Sequence, residues 1–534
     1  MDLSDNPRRR NWSSNYESSQ SVPAPSIASA RTAPEHEEAT RHGPHGNVTL
    51  GFVDIYQSLS PRQVGVIAVG SAIGTGLMIG TARALTMSGP AAMMISYSFV
   101  GFSVYLVLLA LGEVAAWLPK PYTVADQAVR FVDPALGFSM GWIYWLKYAI
   151  VTPNQLTAAA LLISYWVDAE RINPGVWISV LLFVIILVNF VHHGLPSRVE
   201  FYVSSFKLLI MSALMILSMV IAVGGGPDHD PRGFRFWYTP GVFDMFGSRV
   251  NHGLLEKFLE TCATMSSATF AFIGSERSGI MVRAPNIRKA ISRAIKHTFY
   301  RVLVFHLLGI TLLGMLVPRD SIRLAFARDS TKGAAASPFV AAIYLSGIAV
   351  VPDILNGCIL QCAISLSSAV RRLSLLYTNR RGVPVYALAV SSSVATLAYV
   401  NVAEDSRLVF GYLVDMVTML GLLVWVCILI THIAFVRARK AQGIPDEALT
   451  FRARFGLAGT WLGLVLCLFI SMTMILGAFT FDRNGKLMFH YQSAVASFVG
   501  VPIFLTLILG YKLAMRTKRV NSRNADMWTG KLDI

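Results

Sequence analysis

The sequence predicts an all-α polytopic membrane protein with twelve transmembrane helices. Three observations carry that prediction. Of 534 residues, 54% are apolar and only 14% are charged, whereas soluble proteins carry about 25% charged residues. The mean hydropathy is +0.54. Apolar stretches of about 20 residues, the length that crosses a bilayer, recur between residues 61 and 513. This composition excludes a disordered, collagenous, coiled-coil or disulfide-stapled bulk. The formal net charge of +16 points to basic cytoplasmic loops, not to a nucleic-acid partner.

In chain order, residues 1–58 are polar and rich in Ser, Pro and Arg, without the apolar run of a cleavable signal peptide. They read as a disordered cytoplasmic tail. Residues 59–515 form the transmembrane domain, and 516–534 form a cytoplasmic C-terminal tail. Twelve spans fall at 61–86, 89–117, 136–165, 174–192, 200–223, 256–281, 298–317, 352–370, 384–403, 408–435, 456–479 and 492–513. The apolar segment 334–350 is too short to span and reads as a helix lying in a loop. An even span count puts both termini on one side. That side carries about 29 of the 46 Lys and Arg residues, so both termini are expected in the cytoplasm.

The first span contains VGSAIGTGLMIG, with Gly70, Gly74, Gly76 and Gly80 in eleven residues. Glycine pairs four apart suit close helix packing. An unwound turn at Ile73–Gly76 is the alternative, and its backbone groups would need a ligand or water in the membrane. The sixth span contains ATFAFIGSERSG, where Gly274, Ser275, Glu276 and Arg277 interrupt an apolar run. The charges there either mark the end of the span or face a cavity or partner. Two glycine-interrupted spans five helices apart fit a transporter core of two inverted five-helix repeats, with helices 1 and 6 broken and two further helices. Half-helix N-termini would hold an anion and half-helix carbonyls a cation, an arrangement that suits an amino-acid zwitterion.

Other polar residues inside spans are weighed one by one. Glu113 closes the second span, as a gating group or a solvated helix end. Lys147 in the third span and Asp415 in the tenth could pair or line a pocket, but sequence does not place them together. Trp142, Tyr144 and Trp145 read as packing, with one ring available to close a site. Lys207 lies two turns into the fifth span, where it could gain and lose a proton, snorkel to the interface, or sit in a static pair. His306 reads as a hydrogen-bonded packing residue. The five cysteines all lie in apolar stretches, and Cys358 and Cys362 read as packing residues, not as a metal site. No HExxH, GxSxG or P-loop occurs, so no catalytic residue, metal or organic cofactor is expected.

Eight stretches resemble fungal amino-acid permeases, of the yeast amino-acid transporter type within the amino acid–polyamine–organocation superfamily. They are AIGTGLMIG (72–80), SGPA (88–91), LGEVAAWLP (111–119), RFVDPALGFSMGWIYW (130–145), EFYVSSFK (200–207), FAFIGSE (270–276), SPFV (337–340) and RRGVP (380–384). The resemblance implies import of amino acids by proton symport across the plasma membrane, with the proton as coupling ion. It implies that Gly74, Thr75 and Gly76 take the α-carboxylate on backbone amides, with the carbonyls of Ala72 and Ile73 facing the α-ammonium. It makes Phe272, Ile273 and Gly274, with the adjacent Ser275, the unwound part of helix six. Glu276 and Glu113 match polar positions of the family. Lys207 matches a lysine that takes the place of a sodium ion in bacterial relatives. The nearest likeness is to permeases of broad or dicarboxylic amino-acid preference.

Four stretches depart from the family pattern: MVRAPNIRK (281–289), PSRVEF (196–201), KPYTVADQAV (120–129) and SLSSAVRRLSLLYTNRRGVP (365–384). The last shortens the region after helix eight by about fifteen residues, although enough remains for a spanning helix. A non-transporting amino-acid sensor or receptor on the same fold, or an inactive permease relative, is the alternative reading. No lysine precedes Lys120, so turnover through ubiquitination machinery would use Lys512, Lys518 or Lys531, or loop lysines.

Overall fold

The structure, a computed structural model, describes residues 63, 66–67, 69–70, 73–118, 123–168, 170–191, 196–238, 254–276, 287–326, 333–367, 385–449, 451–481 and 487–529. All belong to the compact unit 47–534. The expected N-terminal tail, Ala72, Arg277 and most of 365–384 therefore lie outside the described residues.

The helices begin with α1 (Thr75–Met78), α2 (Gly80–Trp117), α3 (Val124–Phe131), α4 (Pro134–Ile163), α5 (Pro174–Val191), α6 (Pro196–Ala222) and α7 (Leu254–Phe272). They continue with α8 (Ile287–Leu316), α9 (Pro338–Leu345), α10 (Val351–Ser367), α11 (Val385–Ala395), α12 (Ser406–Ala441), α13 (Gly456–Leu476), α14 (Tyr491–Phe498) and α15 (Gly500–Met515). Among the described residues, five stretches are long and apolar enough to cross a membrane: α2, 201–222 of α6, α12, α13, and 491–515. Shorter apolar helices occur at 174–187, 303–316, 351–364 and 388–402. A polytopic helical membrane protein follows from these lengths.

Local sequence explains the helix ends. Thr123 and Asp126 form a capping box at the start of α3. Asp133 accepts from the Ala135 N–H at 2.8 Å, and Pro134 fills the first position of α4, where its missing N–H costs nothing. Within α2 the backbone breaks at Gly89 (φ 78°, ψ 175°), just before Pro90. That break is the boundary the sequence places between spans one and two.

α7 ends at Phe272, where Gly274 takes φ +101°, at the break expected in helix six, and residues 277–281 of that span lie outside the described residues. Two elements differ from the sequence expectation. The ninth span turns into a 3₁₀ helix at Thr396–Val402. The twelfth is divided at Val499 into α14 and α15. An antiparallel hairpin, β1 (Phe479–Phe481) with β2 (Leu487–Phe489), joins α13 to α14 and has no counterpart in the span pattern.

α2 packs on α7 and α8, and α12 packs on α4 and α13. The main core draws Leu77, Tyr97, Phe272, Phe339, Phe410 and Trp425 into one cluster. A second cluster gathers Trp117, Phe131, Phe435 and Met527 at one end of the bundle. There the C-terminal segment is docked, with Trp117 Nε1 donating to the Met527 carbonyl at 2.9 Å and Val520 N–H to the Val132 carbonyl at 2.9 Å. Lys512 donates to Asp133 at 2.8 Å, so one of the three C-terminal lysines is engaged in this contact. Lys531 lies outside the described residues.

Candidate functional site

The chain breaks its helical path just before α1. Gly74 is extended (φ −147°, ψ −159°), and Ile79 leaves helical geometry again between α1 and α2. The N–H groups of Gly74, Thr75 and Gly76 find no acceptor among the described residues. These are the open donors of a helix start, and in an apolar interior they favour an anion. A methyl group on Gly76 would fall 2.6 Å from the Ala271 Cα, so α1 meets the backbone of α7 directly. Gly70 stands equally close to Ser204 of α6. The packing and the unwound readings of the glycines therefore apply to different residues of one segment.

The partner break follows α7. Ile273, Gly274, Ser275 and Glu276 form a turn, and Phe272, Gly274, Ser275 and Glu276 are buried. The Glu276 carboxylate folds back to accept from the Gly274 N–H at 3.0 Å. Its Oε1 accepts from Lys147 Nζ of α4 at 2.5 Å, and its Oε2 from Trp425 Nε1 of α12 at 3.4 Å. Both charged side chains are essentially inaccessible, at 0% and 1%. Two bare charges there would each cost several kcal/mol, and the pair offsets this cost only because its geometry is close and further donors serve the carboxylate. The ammonium also faces the rings of Tyr144 and Tyr148, 4.4 and 4.5 Å from their centroids. Gly421 leaves room for Ile273 and for the Lys147 stem.

His306 of α8 shares a hydrogen bond with the Ala271 carbonyl at 3.1 Å and stacks on Phe272 at 4.4 Å. The broken helix frees that carbonyl, so the ring supports the turn from outside, in keeping with a hydrogen-bonded packing role.

The remaining candidates separate. Lys207 is buried in α6, one turn beyond Ser204, within electrostatic reach of Cys362 in α10. Its helix meets the chain before α1 where Ser204 stands against Gly70. Glu113 is buried, which corrects the expectation of a solvated helix end. It accepts from the Ala453 N–H at 2.7 Å and lies 3.4 Å from His432 Nε2. It ties α2 to α12 and to the segment before α13, away from the two breaks. Lys147 and Asp415 do not pair. Asp415 takes a bidentate contact from Arg83 (3.1 and 3.2 Å) and one from Ser266 at 2.5 Å, joining α2, α12 and α7.

Sequence reasoning missed Arg83, Asn154, Gln155, Ser266 and Trp425. Gln155 Nε2 donates to Thr75 Oγ1 at 2.9 Å, and Asn154 is fully buried with both amide atoms unpartnered among the described residues. The Asn-Gln pair in the apolar run AIVTPNQLTAAA was a readable signal, because polar groups inside a span are costly.

The model of the family "Amino acid permease" matches residues 63–371 and 374–524. The two matched ranges are separated by residues 372–373, within the 365–384 stretch. The chain is 40% identical over 492 residues to the dicarboxylic amino acid permease of Saccharomyces cerevisiae, covering 89% of this chain and 80% of that one. It is 34% identical over 510 residues to the proline-specific permease of the same yeast, covering 90% and 79%. Against that yeast's lysine-specific permease the identity is 30% over 477 residues, covering 86% and 76%.

Proposed function

The chain belongs to the amino acid permease family, and from this premise we propose that it imports amino acids by proton symport. The observation that carries the reading is the meeting of two helix breaks. The open N–H groups of Gly74, Thr75 and Gly76 lie on a segment pressed against Ala271, three residues before the Gly274 turn. In this reading the amides take the α-carboxylate, as at any helix start that binds an anion. The carbonyls of Ala72 and Ile73, with the turn Phe272–Ser275, face the α-ammonium.

The full architecture of this reading is twelve spans, with a five-plus-five inverted-repeat core. Breaks at corresponding helices support it, and alternating access then rocks one set of helices against the other around the fixed site. Lys207 and Glu276 are both buried and titratable, and they are the proposed carriers of the coupled proton. Glu113 acts at a distance, through the contact between α2 and α12. The excess of Lys and Arg puts both termini in the cytoplasm, and the plasma membrane is the proposed location. A dicarboxylic substrate is the preferred class, since the yeast dicarboxylic amino acid permease is 40% identical.

The test is uptake. The chain is expressed in cells without their own amino-acid permeases, with surface delivery checked, and labelled amino acids are supplied at pH 5 and pH 7. Uptake that rises at pH 5 is the expected result. A delivered protein that takes up none of the panel contradicts the proposal.

A further inference from the structure

We propose that Lys147 reads the second carboxylate of a dicarboxylic amino acid. The inference rests on the transport reading above and extends it to the side chain of the substrate. A carboxylate carried into a membrane site needs a cation there, because an uncompensated buried charge is prohibitive. Lys147 is fully buried beside the α7 break and carries three donors, of which one is used on Glu276. The rings of Tyr144 and Tyr148 face the ammonium as weak π acceptors, which a carboxylate oxygen outcompetes for its N–H groups.

Position along α4 supports the same assignment. Lys147, Asn154 and Gln155 are seven and eight residues apart and share a helix face. Gln155 holds Thr75 at the α1 break, while Asn154 keeps both amide atoms open. Eight residues of helix rise about 12 Å. A glutamate has about 5 Å between its carboxyl carbons when extended, and a hydrogen bond at each end adds about 3 Å. The length of such a substrate is thus comparable to the rise along α4 from Lys147 to Gln155, the residue that holds the Thr75 hydroxyl. Glu276 neutralises Lys147 when the site is empty. When a substrate carboxylate takes the ammonium, Glu276 holds the coupled proton, so the site stays neutral, and its other oxygen keeps the Gly274 and Trp425 donors. Glu276 thereby sets how strongly the acidic side chain is preferred, and Lys147 sets whether it is preferred at all.

The experiment compares Kd for L-glutamate and L-glutamine in the purified full chain and three variants, a binding readout that needs no proton coupling, with uptake of both by the surface-delivered wild type measured in permease-deficient cells. In the double variant Lys147→Gln/Glu276→Gln, which leaves neither partner bare, the preference for glutamate over glutamine falls about tenfold or more, the scale of one lost charge-assisted contact. In Glu276→Gln it rises, and in Lys147→Arg it persists. A purely structural ion pair changes both substrates alike, so an unchanged ratio in the double variant, or a falling ratio in Glu276→Gln, overturns the proposal. Wild-type protein that imports glutamine but not glutamate overturns it and leaves the transport reading standing. A delivered wild type that imports neither overturns both.

Discussion

At the scale of single residues, steric contact and charge make different demands. Gly76 and Gly80 have the same spacing signal, yet a Cβ would meet the Ala271 Cα at 2.6 Å at the first and nothing closer than 3.8 Å at the second. Gly76→Val therefore has to push α1 off α7, and uptake by surface-delivered protein is expected to be lost. Gly80→Ala is expected to keep most of it. Sequence alone offered both readings for these glycines, because GxxxG spacing does not say which partner stands opposite. The same holds for the charges. Lys147, Glu276 and Asp415 were each legible as costly intramembrane residues, but their pairing was not, since Lys147 and Glu276 are separated by 129 positions. Arg83 and Asp415 give a second prediction. Arg83→Gln leaves a buried carboxylate bare and costs about 3–5 kcal/mol, visible as a lower melting temperature of the detergent-solubilised protein. The double variant Arg83→Gln/Asp415→Asn recovers most of that loss.

At the scale of elements, helices with strong end signals were legible and the connections were not. Pro174 starts its helix where the fourth span is expected, Pro134 and Pro196 start theirs ahead of the spans expected at 136 and 200, and Gly89–Pro90 divides the first two spans where the sequence puts the boundary. The 479–489 hairpin and the docked C-terminal segment gave no pattern, because short polar connections are shaped by contacts distant in sequence. Met527 is fully buried against Trp117, Phe131 and Phe435. Met527→Lys is expected to release the segment and lower the melting temperature, and wild-type stability in that variant would contradict the docking. Asp133 adds a pH dependence. Burial raises its carboxyl, but Lys512, the Ala135 N–H and Thr517 together outweigh burial and hold it below its ordinary value. A lowered folded value means that the stabilisation is complete above the unfolded value, near pH 4, and is lost as pH falls through the folded one. Asp133→Asn should therefore flatten the acid side of a melting-temperature profile measured between pH 2.5 and 6, and lower the plateau above it.

At the scale of the whole molecule, the sequence conveys a membrane bundle because composition is a bulk property that no local rearrangement alters. The amino acid permease family match over residues 63–371 and 374–524 rests on the same spans that hydropathy marks. The site was half legible. Its two breaks stood out as polar and glycine-rich interruptions of apolar helices, whereas α4 and α12 contribute through Gln155 and Trp425, ordinary residues until the helices are packed. The central claim is that an amino acid is held by both of its α-groups between the two breaks. The most direct test is competition for binding of a labelled amino acid to the purified full-length chain. The competitors are the unlabelled parent, its N-acetyl derivative and its decarboxylated amine. The account predicts that only the parent competes, with either modification costing tenfold or more in affinity. Equal competition by the N-acetyl derivative or by the amine would contradict it.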